Sequence, residues 1–193
     1  MPATKRQKDI MNATLTVIAA EGVEHLTVRR IADRLSITDA ALYKHFDGKT
    51  GILAAIVEEF RIDSLKALDA AAKGVTPIDK VRLFFLDRAD YFASHPEMVP
   101  VLFPESMVGG NRRLFKAVLS AMDDHKQALV VIIGEAQRKR EIRIAPPEHV
   151  FIMIMGTLRL LFTRWQYSGH GFDLAEEARA LWASLVSLIS DIK

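Results

Sequence analysis

The sequence contains no cysteine. That excludes a disulfide framework and thiolate chemistry, and it fits a reducing compartment, so a cytoplasmic protein is expected. Long hydrophobic runs are missing as well. The most apolar stretch, Val150 to Phe162 ("VFIMIMGTLRLLF"), is short for a membrane span and is interrupted by Arg159. It reads as a helix buried on several sides, and no membrane segment is expected. The basic opening "MPATKRQKDIM" lacks the apolar stretch of a secretory signal. Charge of one sign is also lacking: 26 Lys and Arg against 24 Asp and Glu leave a net charge of +2. The chain as a whole is no polycation, and its charge alone fits an ordinary solvated surface.

Sustained two-residue alternation is absent, which argues against half-buried strands. The six histidines are scattered, with no pair at ligand spacing, and no glycine-rich phosphate loop follows a strand. No catalytic residue, metal site or cofactor is therefore expected, and the chain does not read as an enzyme.

What the sequence does contain is helix, punctuated by glycine and proline. A first helix is expected over residues 4–21, ended by Gly22. Thr27 and Thr38 each stand before a short apolar-periodic piece, as N-caps do. A long helix follows over 49–73. Pro77 suits the first turn of a helix reaching His95. Residues 97–108 carry Pro100 and Pro104 and read as broken helix. Asn111 opens a helix to about residue 140, Pro146-Pro147 another to about 168, and Asp173 a last one to about Ile192. The expected class is all-α, with about nine helices. A three-helix N-terminal head spans residues 1–48, and a larger helical bundle spans residues 49–193.

The stretch "TVRRIADRLSITDAALYKHF", from Thr27 to Phe46, raises a specific question. It holds two helices of about two turns each, and isolated helices shorter than ~12 residues are marginal in water. Helix, short turn and second helix is helix-turn-helix geometry, whose second helix fits the DNA major groove. A helical hairpin without a ligand satisfies the same spacing.

The residue identities go further. "VRRIADRLSITDAALYKHFDGKTGIL" resembles the DNA-binding unit of the TetR/AcrR-type transcriptional repressors, through Gly22, Thr27, Ile31-Ala32, Ile37, Leu42-Tyr43, Phe46, Lys49 and Leu53. The resemblance covers about the first quarter of the chain. It implies a DNA-binding head, a linking fourth helix and a ligand-binding, dimerising body. By that resemblance Thr27, Tyr43, His45 and Lys49 lie on phosphates, and Thr38, Asp39, Ala40 and Lys44 lie nearest the bases. Two positions depart from the family pattern: Ser36 stands where the turn usually has glycine, and Asp39 where a lysine is frequent.

In the body, Arg88 shares a helical stripe with Ile78, Val81, Phe85 and Phe92. A buried arginine needs an anionic partner, either within the protein or on a ligand. A pocket around it could gather Phe84, Tyr91, Met98, Phe103, Met107 and Met122, and Arg159 and Trp165 from the penultimate helix could line that pocket or a dimer seam. Leu174, Ala178, Leu181, Leu185, Leu188 and Ile192 line the last helix at helical spacing. They suit either a four-helix seam between two subunits or the closing of the chain's own core. The expected function is a homodimeric, ligand-responsive regulator, a repressor that leaves a palindromic double-stranded DNA operator when a small amphipathic effector binds. The alternative is a nucleoid- or protein-partner-binding helical protein that binds DNA without a small-molecule effector.

Overall fold

The structure, a computed structural model, describes residues 3–103 and 112–190. Among the described residues there are nine α-helices: α1 (Lys5–Glu21), α2 (Val28–Arg34), α3 (Asp39–Tyr43), α4 (Gly48–Ala71), α5 (Pro77–Ser94), α6 (Val99–Leu102), α7 (Arg112–Arg138), α8 (Pro147–Tyr167) and α9 (Leu174–Ile189). The all-α class expected from the sequence is the class observed. No described helix is long and apolar enough to cross a membrane.

Local chemistry sets most helix ends. Thr4 caps α1 in a reciprocal box with Gln7, and Gly22 ends it with φ 87°, a conformation glycine adopts without steric cost. Thr76 caps α5 by accepting from Asp79 N–H, with Pro77 in the first turn. Asp173 caps α9 through Glu176 N–H.

Two features differ from the sequence reading. A short 3₁₀ turn, Val23–His25, separates α1 from α2. The last helix stops at Ile189, not Ile192, because Ser190 turns extended and bridges Ile142 across an antiparallel pair. Arg143 N–H donates to Ile189 C=O at 2.8 Å, so backbone pairing replaces the next helical turn. Of the expected broken helix, the described part is a 3₁₀ turn, Pro96–Met98, followed by α6. Met107 and the Asn111 cap lie outside the described residues.

The chain divides into two compact units, Met1–Arg61 with Pro96–Ala121, and Ile62–His95 with Met122–Lys193. Ile10, Leu26, Ile31, Leu42, Ile52 and Leu53 are fully buried in the first. Each such side chain contributes about 1.5–3 kcal/mol of transfer free energy, which is what holds helices as short as α2 and α3. In the second unit α5 packs on α8 and α9. Phe92 meets Phe162 at 4.4 Å between ring centroids, and Phe85 meets Trp182 at 5.2 Å.

Both late helices bury one face in this unit. Val150, Ile154, Leu158, Leu161, Phe162 and Trp165 of α8 are buried, as are Leu174, Ala178, Trp182 and Leu185 of α9. The last helix therefore does close its own unit's core. Yet Ile152, Met153, Leu160 and Tyr167 of α8 and Leu188 of α9 are exposed.

Candidate nucleic-acid interface

The head is built around the turn between α2 and α3. Thr27 Oγ1 accepts from Arg30 N–H at 3.2 Å and opens α2; Thr38 Oγ1 accepts from Ala41 N–H at 3.2 Å and opens α3. Each hydroxyl caps with a lone pair and keeps its O–H free to donate. Between the caps, Ser36 takes φ 52°, the left-handed conformation that a glycine would adopt more cheaply. The serine carries the cost of that conformation. Ile37 N–H reaches back to Ala32 C=O at 3.0 Å across it.

Inward, Ile31, Ala32, Leu42 and Phe46 are buried, and α2 packs on both α1 and α3. Outward, Thr27, Thr38, Asp39, Ala40, Tyr43, Lys44, His45 and Lys49 are all exposed. Tyr43 shows 57% of its surface although it is aromatic. Leu42 beside it is fully buried, so the pair turns one apolar side chain in and one amphipathic side chain out.

The charges divide into two groups. Arg30 is tied to Glu21 at the end of α1, and Arg29 lies 4.0 Å from Asp33 within α2. Among the described residues no ion pair holds Arg34, Lys44 or Lys49. The unpaired cations thus stand at the end of α2, the end of α3 and the start of α4, on an exposed face where a polyanion gains from them. Arg113 of α7 adds a cation that sequence spacing did not point to, because its partner Asp47, 3.5 Å away, is 66 residues distant in the chain.

The second unit holds a different cluster. Arg88 is only 4% exposed. Its Nη1 donates to Ser64 Oγ at 2.8 Å, its Nη2 to Asp63 Oδ2 at 3.0 Å, and its Nε to Asp87 Oδ2 at 2.9 Å. The guanidinium also stands 5.0 Å from the Tyr91 ring centre and 5.7 Å from that of Phe84. The interhelical ion pair is formed, and the protein supplies two carboxylates for one guanidinium.

Of the other expected effector residues, Phe84 and Tyr91 join Arg88, and Phe84 also touches His125. Trp165 is placed elsewhere in its unit: its Nε1 donates to Phe172 C=O at 2.9 Å and its ring meets His170. Met122 and Arg159 are exposed. Met98 and Phe103 belong to the first unit. No group of three metal-ligating side chains comes together among the described residues.

Residues 10–56 match the model of bacterial regulatory proteins, tetR family. The chain is 23% identical over 163 residues to the probable HTH-type transcriptional regulator YttP of Bacillus subtilis, covering 82% of this chain and 77% of that protein. It is 21% identical over 192 residues to the nucleoid occlusion factor SlmA of Vibrio vulnificus, covering 96% of each. Its fold matches that of the transcriptional regulator FadR from Bacillus subtilis, solved in complex with stearoyl-CoA, with a TM-score of 0.83 at 21% identity, covering 93% of this chain and 97% of that one. The matched segment is the one that carries the α2–α3 turn and its exposed polar face. Residues 10–56 thus carry the pattern of the tetR family of bacterial regulatory proteins, and the chain is similar along most of its length to an HTH-type transcriptional regulator.

Proposed function

We propose that the chain is a homodimeric repressor that leaves a palindromic operator when a small amphipathic molecule binds it. Residues 1–48 form the DNA-binding head, joined on the DNA by Lys49 at the start of α4, and residues 49–193 bind the effector and the second subunit. The observation that carries this reading is the exposed face from α2 to the start of α4, which bears three unpaired cations and two capping hydroxyls beside the buried Ile31, Leu42 and Phe46. On that face Thr27, Tyr43, His45 and Lys49 contact phosphates and fix register. Thr38, Asp39, Ala40 and Lys44 enter the major groove.

The second subunit covers the outward face of α8 and α9. Ile152, Met153, Leu160, Tyr167 and Leu188 are apolar and exposed there, and a Cβ at Gly156 would meet nothing within 4 Å. Contiguous exposed apolar surface of this kind marks an interaction site. Two heads related by a two-fold axis then read two half-sites.

The effector meets aromatic and apolar surface, with Phe84 and Tyr91 as its first assigned contacts. Arg88 keeps Asp63 and Asp87 as its counter-ions, so the effector's polar end finds no bare guanidinium there. The stearoyl-CoA complex of Bacillus subtilis FadR, a protein of the same fold, supports an effector with a long apolar part. Release requires that the effector bind the DNA-free arrangement more tightly than the DNA-bound one, since equal affinity shifts nothing.

A second reading is a nucleoid- or partner-binding DNA protein without an effector. The similarity to SlmA over 96% of both chains favours it. The test is to sequence the duplex fragments retained by the purified protein and then titrate the complex with apolar amphipathic probes, long-chain acyl-CoAs among them. Release at micromolar probe supports the repressor reading. Retention against every probe, with DNA binding intact, supports the second.

A further inference from the structure

We propose that Asp39 selects a base in the DNA site and that the base is a cytosine. The inference rests on the DNA-binding reading above and adds a sequence preference to it. Asp39 is the first residue of α3, and the opening residues of a recognition helix are the ones that reach base edges. Its carboxylate is exposed, and no hydrogen bond or ion pair engages it among the described residues. The capping role at this helix belongs to Thr38, whose Oγ1 takes the Ala41 N–H. The cap hydrogen bond of α3 is therefore made without the Asp39 carboxylate, which stands in the helix's first turn with its oxygens open to a donor from outside.

An ionised carboxylate only accepts hydrogen bonds. Phosphate oxygens, guanine N7 and O6, adenine N7 and thymine O4 are acceptors too, so Asp39 is repelled by nearly everything a duplex presents. Two groups in the major groove donate, adenine N6 and cytosine N4. Adenine N6 is flanked by an acceptor on each side, its own N7 and the paired thymine O4. Cytosine N4 has one such neighbour, the paired guanine O6, and a C–H on its other side. Asp39 therefore gains most at cytosine. At guanine and thymine it leaves a desolvated charge facing acceptors, and at adenine a donor flanked by two of them, so it discriminates by that penalty as much as by the bond it forms. The same charge weakens binding to duplex in general.

The experiment is selection from a random duplex pool with the full-length wild-type protein, Asp39→Asn and Asp39→Ala, with thermal melts confirming that all three are folded. The wild type is expected to enrich cytosine at one fixed position of each half-site, and replacing that cytosine should weaken binding about tenfold. Asp39→Asn should move the preference there to adenine, because an amide donates and accepts and can bond N7 and N6 together. Asp39→Ala should lose the preference at that position and bind random-sequence duplex more tightly than the wild type. The same base preference in all three proteins overturns the inference and leaves the DNA-binding reading standing. A wild-type protein that retains no duplex overturns both.

Discussion

Arg88 and Asp63 are joined between α5 and α4 by a 3.0 Å ion pair, with the guanidinium buried and the carboxylate about half exposed. The asymmetry decides what its loss costs. Removing one partner of a fully buried pair costs about 3–5 kcal/mol. Here the orphaned Asp63 and Asp87 reach water, and the buried Ser64 hydroxyl loses its donor. Arg88→Met should therefore cost about 1–3 kcal/mol, measured by urea unfolding. An unchanged midpoint would mean that the guanidinium contributes nothing net to the fold.

The proposed dimer seam lies on the outward faces of α8 and α9. Leu160 is 68% exposed in one subunit and Leu185 is 8% exposed. Leu160→Glu should give monomers that keep their helix content, because the charge meets a partner's apolar surface and not the core. Leu185→Glu should lose the fold. Sedimentation together with circular dichroism separates the two, and a dimer that tolerates Leu160→Glu would place the seam elsewhere.

Ser36 holds φ 52° in the turn of the head. A left-handed conformation costs an L-residue about 1–2 kcal/mol relative to glycine. Part of that gain is offset by the greater freedom of glycine in the unfolded chain. Ser36→Gly should therefore stabilise the protein by a few tenths to about 1 kcal/mol, and Ser36→Val should destabilise it. Thermal melts in which both variants match the wild type would contradict the strain argument.

The start of α5 carries a pH-sensitive contact. The hydrogen bond from Arg82 holds the Asp79 carboxyl below its ordinary value, against the opposing effect of burial and with help from Val75 N–H. A carboxyl lowered in the folded state stabilises above its unfolded pKa, and that stability fades as pH falls through the folded value. Asp79→Asn should be less stable than the wild type at pH 7. The gap should close below about pH 4. A gap of constant size down to pH 2.5 would show that the carboxylate's charge is irrelevant there.

The head was largely legible in the sequence because its signals are local. Thr27 and Thr38 cap as threonines before apolar pieces do, and the alternation of Leu42 inward and Tyr43 outward follows from helical period alone. Pro77 and Asp173 open α5 and α9 for equally local reasons. The body was less legible because its deciding contacts join residues far apart in the chain. No spacing rule pairs Arg88 with Asp63, 25 residues away, or ends α9 at Ile189 because Ser190 meets Ile142. Both faces of α8 are apolar, so periodicity could not say which one the subunit keeps for itself. Of the side chains proposed around Arg88, Phe84 and Tyr91 stand beside its guanidinium, and a composition-based reading could not rank them above the rest.

The central claim is that the exposed face from α3 to the start of α4 is the DNA surface. The salt dependence of binding to the selected duplex tests it most directly, comparing the wild type with Lys44→Ala and Lys49→Ala. Each phosphate-contacting lysine removed should lower the slope of log affinity against log salt by about 0.9 per subunit bound. Lys49→Ala should do so while keeping the base preference unchanged. Lys44→Ala, which stands nearer the bases, should alter the preferred sequence as well. Wild-type slopes and preferences in both variants would contradict the account.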